Sequence, residues 1–116
     1  MVVSTAPGTN EVRLSGILDV STVHDVRLAV HAAVDDGTGD LFVDLGEVEM
    51  LDAMGLGMLV GAHRRAGRAG RRLVLRNLSP QIVRLLRVSR LNRILVVEPA
   101  DTEGISAAAP AVVTGQ

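Results

Sequence analysis

Apolar positions along the chain switch between a period of two and a period near 3.6, and the order of those switches predicts the architecture. Val12, Leu14, Gly16 and Leu18 alternate with Arg13, Ser15 and Ile17, which predicts a strand over 12–18. Asp19 to Ser21 then punctuates the chain, with Ser21 in the place of a helix N-cap. From Thr22 to about Asp35, Val23, Val26, Val30, Ala33 and Val34 recur at helical spacing, with Asp25, Arg27 and Asp35 opposite. Asp36-Gly37-Thr38-Gly39-Asp40 ends that helix, and Leu41-Phe42-Val43-Asp44-Leu45 reads as a buried central strand. A loop from Gly46 to Leu51 leads to Asp52, the N-cap expected for a second helix reaching about Ala66, with Leu56, Leu59, Val60 and His63 inward. Gly67 and Gly70 close it, and Arg72 to Leu75 reads as a third strand. Ser79-Pro80 pairs a capping hydroxyl with a first-turn proline and opens a third helix, whose inward side is Ile82, Leu85, Leu86 and Ser89. Ile94 to Val97 makes the last strand.

Strand and helix thus alternate three times before a final strand, the pattern of an α/β domain. The expected sheet is mostly parallel and four- to five-stranded, with right-handed crossovers and three to four helices. A chain of 116 residues has room for one domain. Its expected limits are 11–98, between a flexible start at 1–10 and a flexible tail at 99–116 rich in alanine, proline and glycine. Met1-Val2-Val3 would add an edge strand, and an exposed edge there is where a second copy would pair as a homodimer.

Composition removes several classes of function. There is no cysteine, so disulfides, thiolate metal sites and a cysteine nucleophile are out of reach. Phe42 is the one aromatic residue, too few for a platform that stacks nucleic-acid bases. No apolar run approaches the roughly 18 residues of a membrane span, and no charged-then-apolar leader opens the chain, which leads us to expect a soluble cytoplasmic protein without membrane insertion. The net charge of −1 hides a strong asymmetry: −8 over residues 1–62, +10 over 63–93 and −3 over 94–116. All twelve basic residues are arginine, and those of the middle block fit either a solvated surface or an acidic protein partner better than nucleic acid. Arg84, Arg87 and Arg90 recur every three residues and are expected on one outward face of the third helix.

The stretch from Asp44 to Gly57 carries the most information. An acid ends a buried strand, a short loop follows, and a helix begins at Asp52 with glycines at 55, 57 and 61. Each glycine costs a helix about 1 kcal/mol against alanine, so something must approach the backbone closely. Gly57 and Gly61 lie four apart, as packing on the sheet would ask; Gly55 sits in the first turn, where a partner or phosphate could also approach.

Asp44-Leu45, then Asp52 and Gly55-Leu56-Gly57, together resemble the STAS domain of bacterial anti-sigma factor antagonists, whose signature is Asp-Leu, a variable loop, and Asp-Ser-Ser/Thr-Gly-Leu-Gly at a helix start. Gly16-Ile17-Leu18-Asp19 and Ser79-Pro80 are similar to two further family motifs, and the likeness spans roughly 11–98. The resemblance implies a non-enzymatic module that binds a kinase-like anti-sigma factor and frees a sigma factor for transcription. It places partner contacts at Asp19, Ser21, Asp52, Ala53, Met54, Gly55, Leu56 and Met58. In the family, the residue after the acid is a serine phosphorylated by the partner. Here that position is Ala53 and the next is Met54, and neither has an oxygen to phosphorylate. The resemblance also admits a scaffold subunit of a signalling complex or a lipid-transport ATPase assembly, and a small nucleotide-binding regulatory domain.

No cofactor, metal or catalytic set is expected. His24 and His31 are seven apart, too far for i,i+4 chelation on one helix, and His63 lies on another. No phosphate-binding glycine loop is present, and Ser/His/acid residues carry no nucleophile motif.

Overall fold

A computed structural model describes residues 1–5 and 10–98. The strands are β1 (Val2–Thr5), β2 (Glu11–Leu18), β3 (Leu41–Leu51), β4 (Leu73–Arg76) and β5 (Val96–Val97). The helices are α1 (Val23–Asp35), α2 (Ala53–Arg68) and α3 (Pro80–Val88), with a 3-10 turn at Leu91–Arg93. The five strands lie side by side in chain order, β1 antiparallel to β2 and every later neighbour parallel. The α/β class and the mostly parallel sheet therefore stand as expected.

Strands that advance one place at a time in one direction, joined by right-handed crossovers, put all their helices on one face. The core agrees: Leu14, Leu18, Val43, Leu45 and Leu75 of the sheet meet Val26, Val30, Leu59 and Leu86 of the helices in one buried cluster. Among the described residues no helix covers the opposite face. It is closed by charge: Arg76 donates to Glu11 and Glu98 at 2.9 Å each, and its guanidinium lies 4.0 Å from the Phe42 ring centre. That one side chain ties β2 to the chain beyond β5.

Several elements differ from the sequence reading. Within the expected flexible start, Val2–Thr5 form β1, paired from Val2↔Ser15 to Thr5↔Val12; residues 6–9 and the tail at 99–116 lie outside the described residues. β3 does not end at Leu45 but runs to Leu51. Between Arg13↔Asp44 and Ser15↔Glu47, and again between Gly16↔Val48 and Ile17↔Met50, β3 spends one extra residue against β2. These bulges break the period of two, which is why the segment read as a loop. Asp44 secures the first: one carboxylate oxygen accepts from the Gly46 amide at 2.8 Å, the other from Asn77 Nδ2 at 3.0 Å.

The arginine block is also less free than expected. Arg71 is buried, and its guanidinium donates to the carbonyls of Ala33, Val34 and Gly39 at 2.8–2.9 Å, with Thr38 at 3.4 Å. A cation there answers the unpaired carbonyls and the negative dipole at the end of α1. Arg65 grips Asp35 through two hydrogen bonds (3.1 and 2.6 Å), and Arg72 pairs with Asp40 at 2.7 Å. Arg90 does not continue the α3 face; it follows the helix in a left-handed conformation, φ 64°.

Candidate functional site

In a parallel sheet the chain leaves each strand at its carboxyl end and starts a helix there, so the loops at that edge form a surface. Leu18 and Leu51 are register partners at the ends of β2 and β3, and the Asp52 amide donates to the Leu18 carbonyl at 3.2 Å. This bond brings the β2–α1 loop and the start of α2 together, as expected for Asp19, Ser21 and Asp52.

Asp52 caps α2: its carboxylate accepts from the Gly55 amide at 3.0 Å, an arrangement worth about 1 kcal/mol. Ser21 does not cap α1. Its hydroxyl donates to Asp19 Oδ1 at 2.7 Å and its amide to the same oxygen at 2.9 Å, and the hydroxyl bond, followed by the amide, holds the Asp19 carboxyl below its usual pKa. Thr22 takes the N-cap position but donates its hydroxyl to the Ile17 carbonyl (2.9 Å) and accepts from the Asp19 amide (3.0 Å). The loop is therefore fixed from within.

Gly55 has a purpose other than admitting a ligand. A Cβ there would lie 2.5 Å from Leu51 Cδ1, 2.8 Å from Leu18 Cγ and 3.0 Å from the Leu18 carbonyl oxygen. The first turn of α2 rests its bare backbone on the two strand ends, and Gly55 is buried by them. Gly57 and Gly61 do the opposite of what their spacing implied: a Cβ at either meets nothing within 4 Å, so sheet packing does not explain them.

Burial divides the expected contact residues in two. Asp19 and Asp52 are part-exposed, and Ser21, Ala53 and Met54 are exposed. Leu56 and Met58 are in the core, Met58 at 1% exposure, because the buried stripe of α2 runs through Gly55, Leu56, Met58, Leu59, Ala62 and Ala66. Val60 and His63, expected inward, sit only at its half-buried margin.

Three apolar side chains at this edge were not singled out by sequence. Ile17 (41% exposed) and Met50 (49%) are register partners on β2 and β3, and Val20 (68%) lies in the loop after β2. Met54 (47%), in the first turn of α2, is a fourth exposed apolar side chain at the same end of the sheet. Ile17 carried a signal, since it sits on the polar side of its strand's alternation. Met50 carried none while its segment read as a loop.

Asp19 and Asp52 spend their carboxylates on backbone and hydroxyl donors, and no group of three or more metal-capable side chains occurs among the described residues. No helix of the described residues is long and apolar enough to cross a membrane.

The chain is thus a one-sided α/β sheet domain whose helix-start edge is held by capping acids and carries exposed apolar side chains. Comparison with known proteins gives that class its family. Residues 1–98 match the family model described as Mlab, STAS domain. An anti-sigma-B factor antagonist of Staphylococcus aureus (strain NCTC 8325 / PS 47) is 32% identical over 87 residues, 75% of this chain and 81% of that protein. Among solved structures, an anti-sigma factor antagonist from Mycobacterium paratuberculosis superposes with a TM-score of 0.72 at 25% identity, covering 85% of this chain and 84% of that one. The Bacillus anti-sigma factor antagonist SpoIIAA in its unphosphorylated form shares the fold, with a TM-score of 0.68 at 22% identity over 84% of this chain and 88% of that one. The chain belongs to the STAS domain family of anti-sigma factor antagonists.

Proposed function

We propose that this protein is an anti-sigma factor antagonist that docks a kinase-like anti-sigma factor through the helix-start edge and lacks the family's phosphorylation switch at that point. The observation that carries the reading is the exposed start of α2, where the capped acid Asp52 is followed by Ala53 and Met54. A phosphate on a helix start adds nearly two negative charges, which the helix dipole tolerates but an acidic or apolar partner surface does not. With a methyl at 53 and a thioether at 54 there is no acceptor, and the surface stays permanently in its uncharged, apolar form. Met54 and Met50 add the flexible, polarisable contact area common at adaptable docking surfaces. Asp19, Ser21 and Asp52 hold the edge rigid and frame it with charge. The protein works by binding rather than by catalysis.

The test is incubation with the cognate anti-sigma factor and ATP, followed by intact-mass measurement. The native chain is expected to gain no phosphate, and Ala53→Ser to gain one. A stoichiometric phosphate on the native chain would contradict the reading. The missing hydroxyl equally favours a second one, a scaffold subunit that docks constitutively into a larger assembly. Partner capture with identification by mass spectrometry separates the two.

A further inference from the structure

We propose that the arginine-rich end of the molecule docks the acidic end of a second copy, so that the chain associates head to tail. The two ends follow from the topology: parallel strands put helix starts at one edge of the sheet and helix ends at the other. Around the helix-start edge, residues 14–26 and 45–63 hold Asp19, Asp25, Glu47, Glu49 and Asp52 and no arginine. Asp25, Glu47 and Glu49 are exposed, and among the described residues none of the three forms an ion pair.

The opposite end is basic. Arg64 and Arg68 lie in the last turns of α2, Arg87 in the last turn of α3, and Arg90 and Arg93 just beyond it. All five are exposed, and none has a carboxylate partner among the described residues. Of the acids at that end, Asp35 is held by Arg65 and Asp40 by Arg72, while Asp36, exposed at the end of α1, forms no ion pair among the described residues. Each end also carries exposed apolar side chains: Val88 (76% exposed) and Ile94 (43%) at the arginine end, and Ile17, Val20, Met50 and Met54 at the acidic end.

A second copy is the occupant for which both halves are present. Each copy offers the counter-charges the other lacks, with an apolar centre to match. A net charge of −1 sets up little long-range repulsion between copies. A nucleic acid drawn to the basic end would meet neither aromatic platforms nor a second basic surface. Head-to-tail contact is heterologous, so it does not stop at a dimer but builds rings or open chains, and its products grow with concentration. It covers the candidate anti-sigma surface, which rests on the reading above, and makes protein concentration and salt a control on a site that phosphorylation does not reach.

Sedimentation velocity on the full chain tests this without any anti-sigma factor, so its failure leaves the proposed function standing and the reverse also holds. The sedimentation coefficient is expected to rise with protein concentration at 0.1 M salt. It should return to the monomer value at 1 M, as the screening length falls from about 10 Å to about 3 Å. Variant one, Arg68→Glu with Arg87→Glu, takes the five-arginine end from +5 to +1; variant two, Glu47→Arg with Glu49→Arg, takes the five-acid end from −5 to −1. Each alone is expected to stay monomeric, and an equimolar mixture to form one-to-one pairs through variant one's intact acidic end and variant two's intact basic end. Circular dichroism checks the fold, and the single changes Arg87→Glu and Glu47→Arg carry the same test should a double variant unfold. A wild-type chain that stays monomeric at low salt up to its solubility limit overturns the proposal. So does either variant alone associating like wild type. So does binding to phosphatidylglycerol vesicles by a chain that shows no self-association, which would assign the basic end to an anionic membrane.

Discussion

Gly55 and Gly57 are two residues apart on the same exposed-to-buried helix start, yet replacing each by alanine is expected to move stability in opposite directions. At Gly57 an added methyl meets nothing within 4 Å, so the change removes only backbone freedom from the unfolded chain and stabilises by about 0.5–1 kcal/mol. At Gly55 the same gain is available, but the methyl lands 2.5 Å from Leu51 Cδ1, 2.8 Å from Leu18 Cγ and 3.0 Å from the Leu18 carbonyl oxygen. Leu51 can turn its terminal methyl aside. The Leu18 carbonyl cannot move freely, because it accepts the Asp52 amide that joins the two loops. The helix start must therefore lift, at an overpacking cost of about 1–3 kcal/mol and with weakening of the Asp52 cap, itself worth about 1 kcal/mol. The net expectation is a loss of about 1–3 kcal/mol for Gly55→Ala. Urea unfolding of the two variants beside wild type reads the difference, and each kcal/mol shifts Tm by about 4–8 °C in a domain of this size. A Gly55→Ala protein as stable as Gly57→Ala would refute the close packing of α2 on the strand ends.

Other expectations follow from the same geometry. Arg71→Met should cost about 2 kcal/mol or more, since it strips the α1 carbonyls of a charged donor, whereas Arg72→Ala, which breaks an exposed pair with Asp40, should stay within about 0.5 kcal/mol; both are read by chemical unfolding. Asp52→Ala should lose about 1 kcal/mol of stability with the α2 cap, and Asp52→Asn only part of it. Burial, Arg65 and Arg27 hold the His31 imidazole below its ordinary pKa of 6.5, so the folded state binds fewer protons than the unfolded one near that pH. Stability should then fall as pH drops through 6.5, and His31→Gln should flatten that slope in thermal unfolding between about pH 7.5 and 5.5. The Asp19 and Asp35 carboxyls are held below their ordinary pKa of 3.8 by Ser21 and Arg65, so their contribution is present above that value and is lost at more acid pH.

Periodicity sufficed for α1, α2, α3 and β2 because each has one buried side whose spacing the apolar residues mark directly. It failed over 46–51 because two bulges shift β3 against β2, and a bulge trades the period of two for a carboxylate–amide bond that only Asp44 hints at. Asp52 and Ser79 were legible as caps since an oxygen three residues before an amide is a local arrangement, and both bonds form, the Ser79 one at 3.2 Å to Ile82. Ser21 has the same chemistry, but Asp19 lies two residues back and takes its hydroxyl. Met58 shows the limit of spacing arguments at a helix end: one turn from exposed Met54, it is already over the core. Arg71 could not be told from its neighbours in the arginine block, because what buries it is the end of a helix 37 residues earlier.

In the proposed function, the apolar start of α2 docks the anti-sigma factor. Calorimetric titration of the cognate anti-sigma factor into wild type and into Met54→Asp tests it most directly. Met54 is half exposed and outside the core, so the variant should fold normally while setting a charge where an apolar contact is expected. The expected Kd is at least about tenfold weaker, a loss of about 1.4 kcal/mol or more. An unchanged Kd for a folded Met54→Asp protein would contradict it.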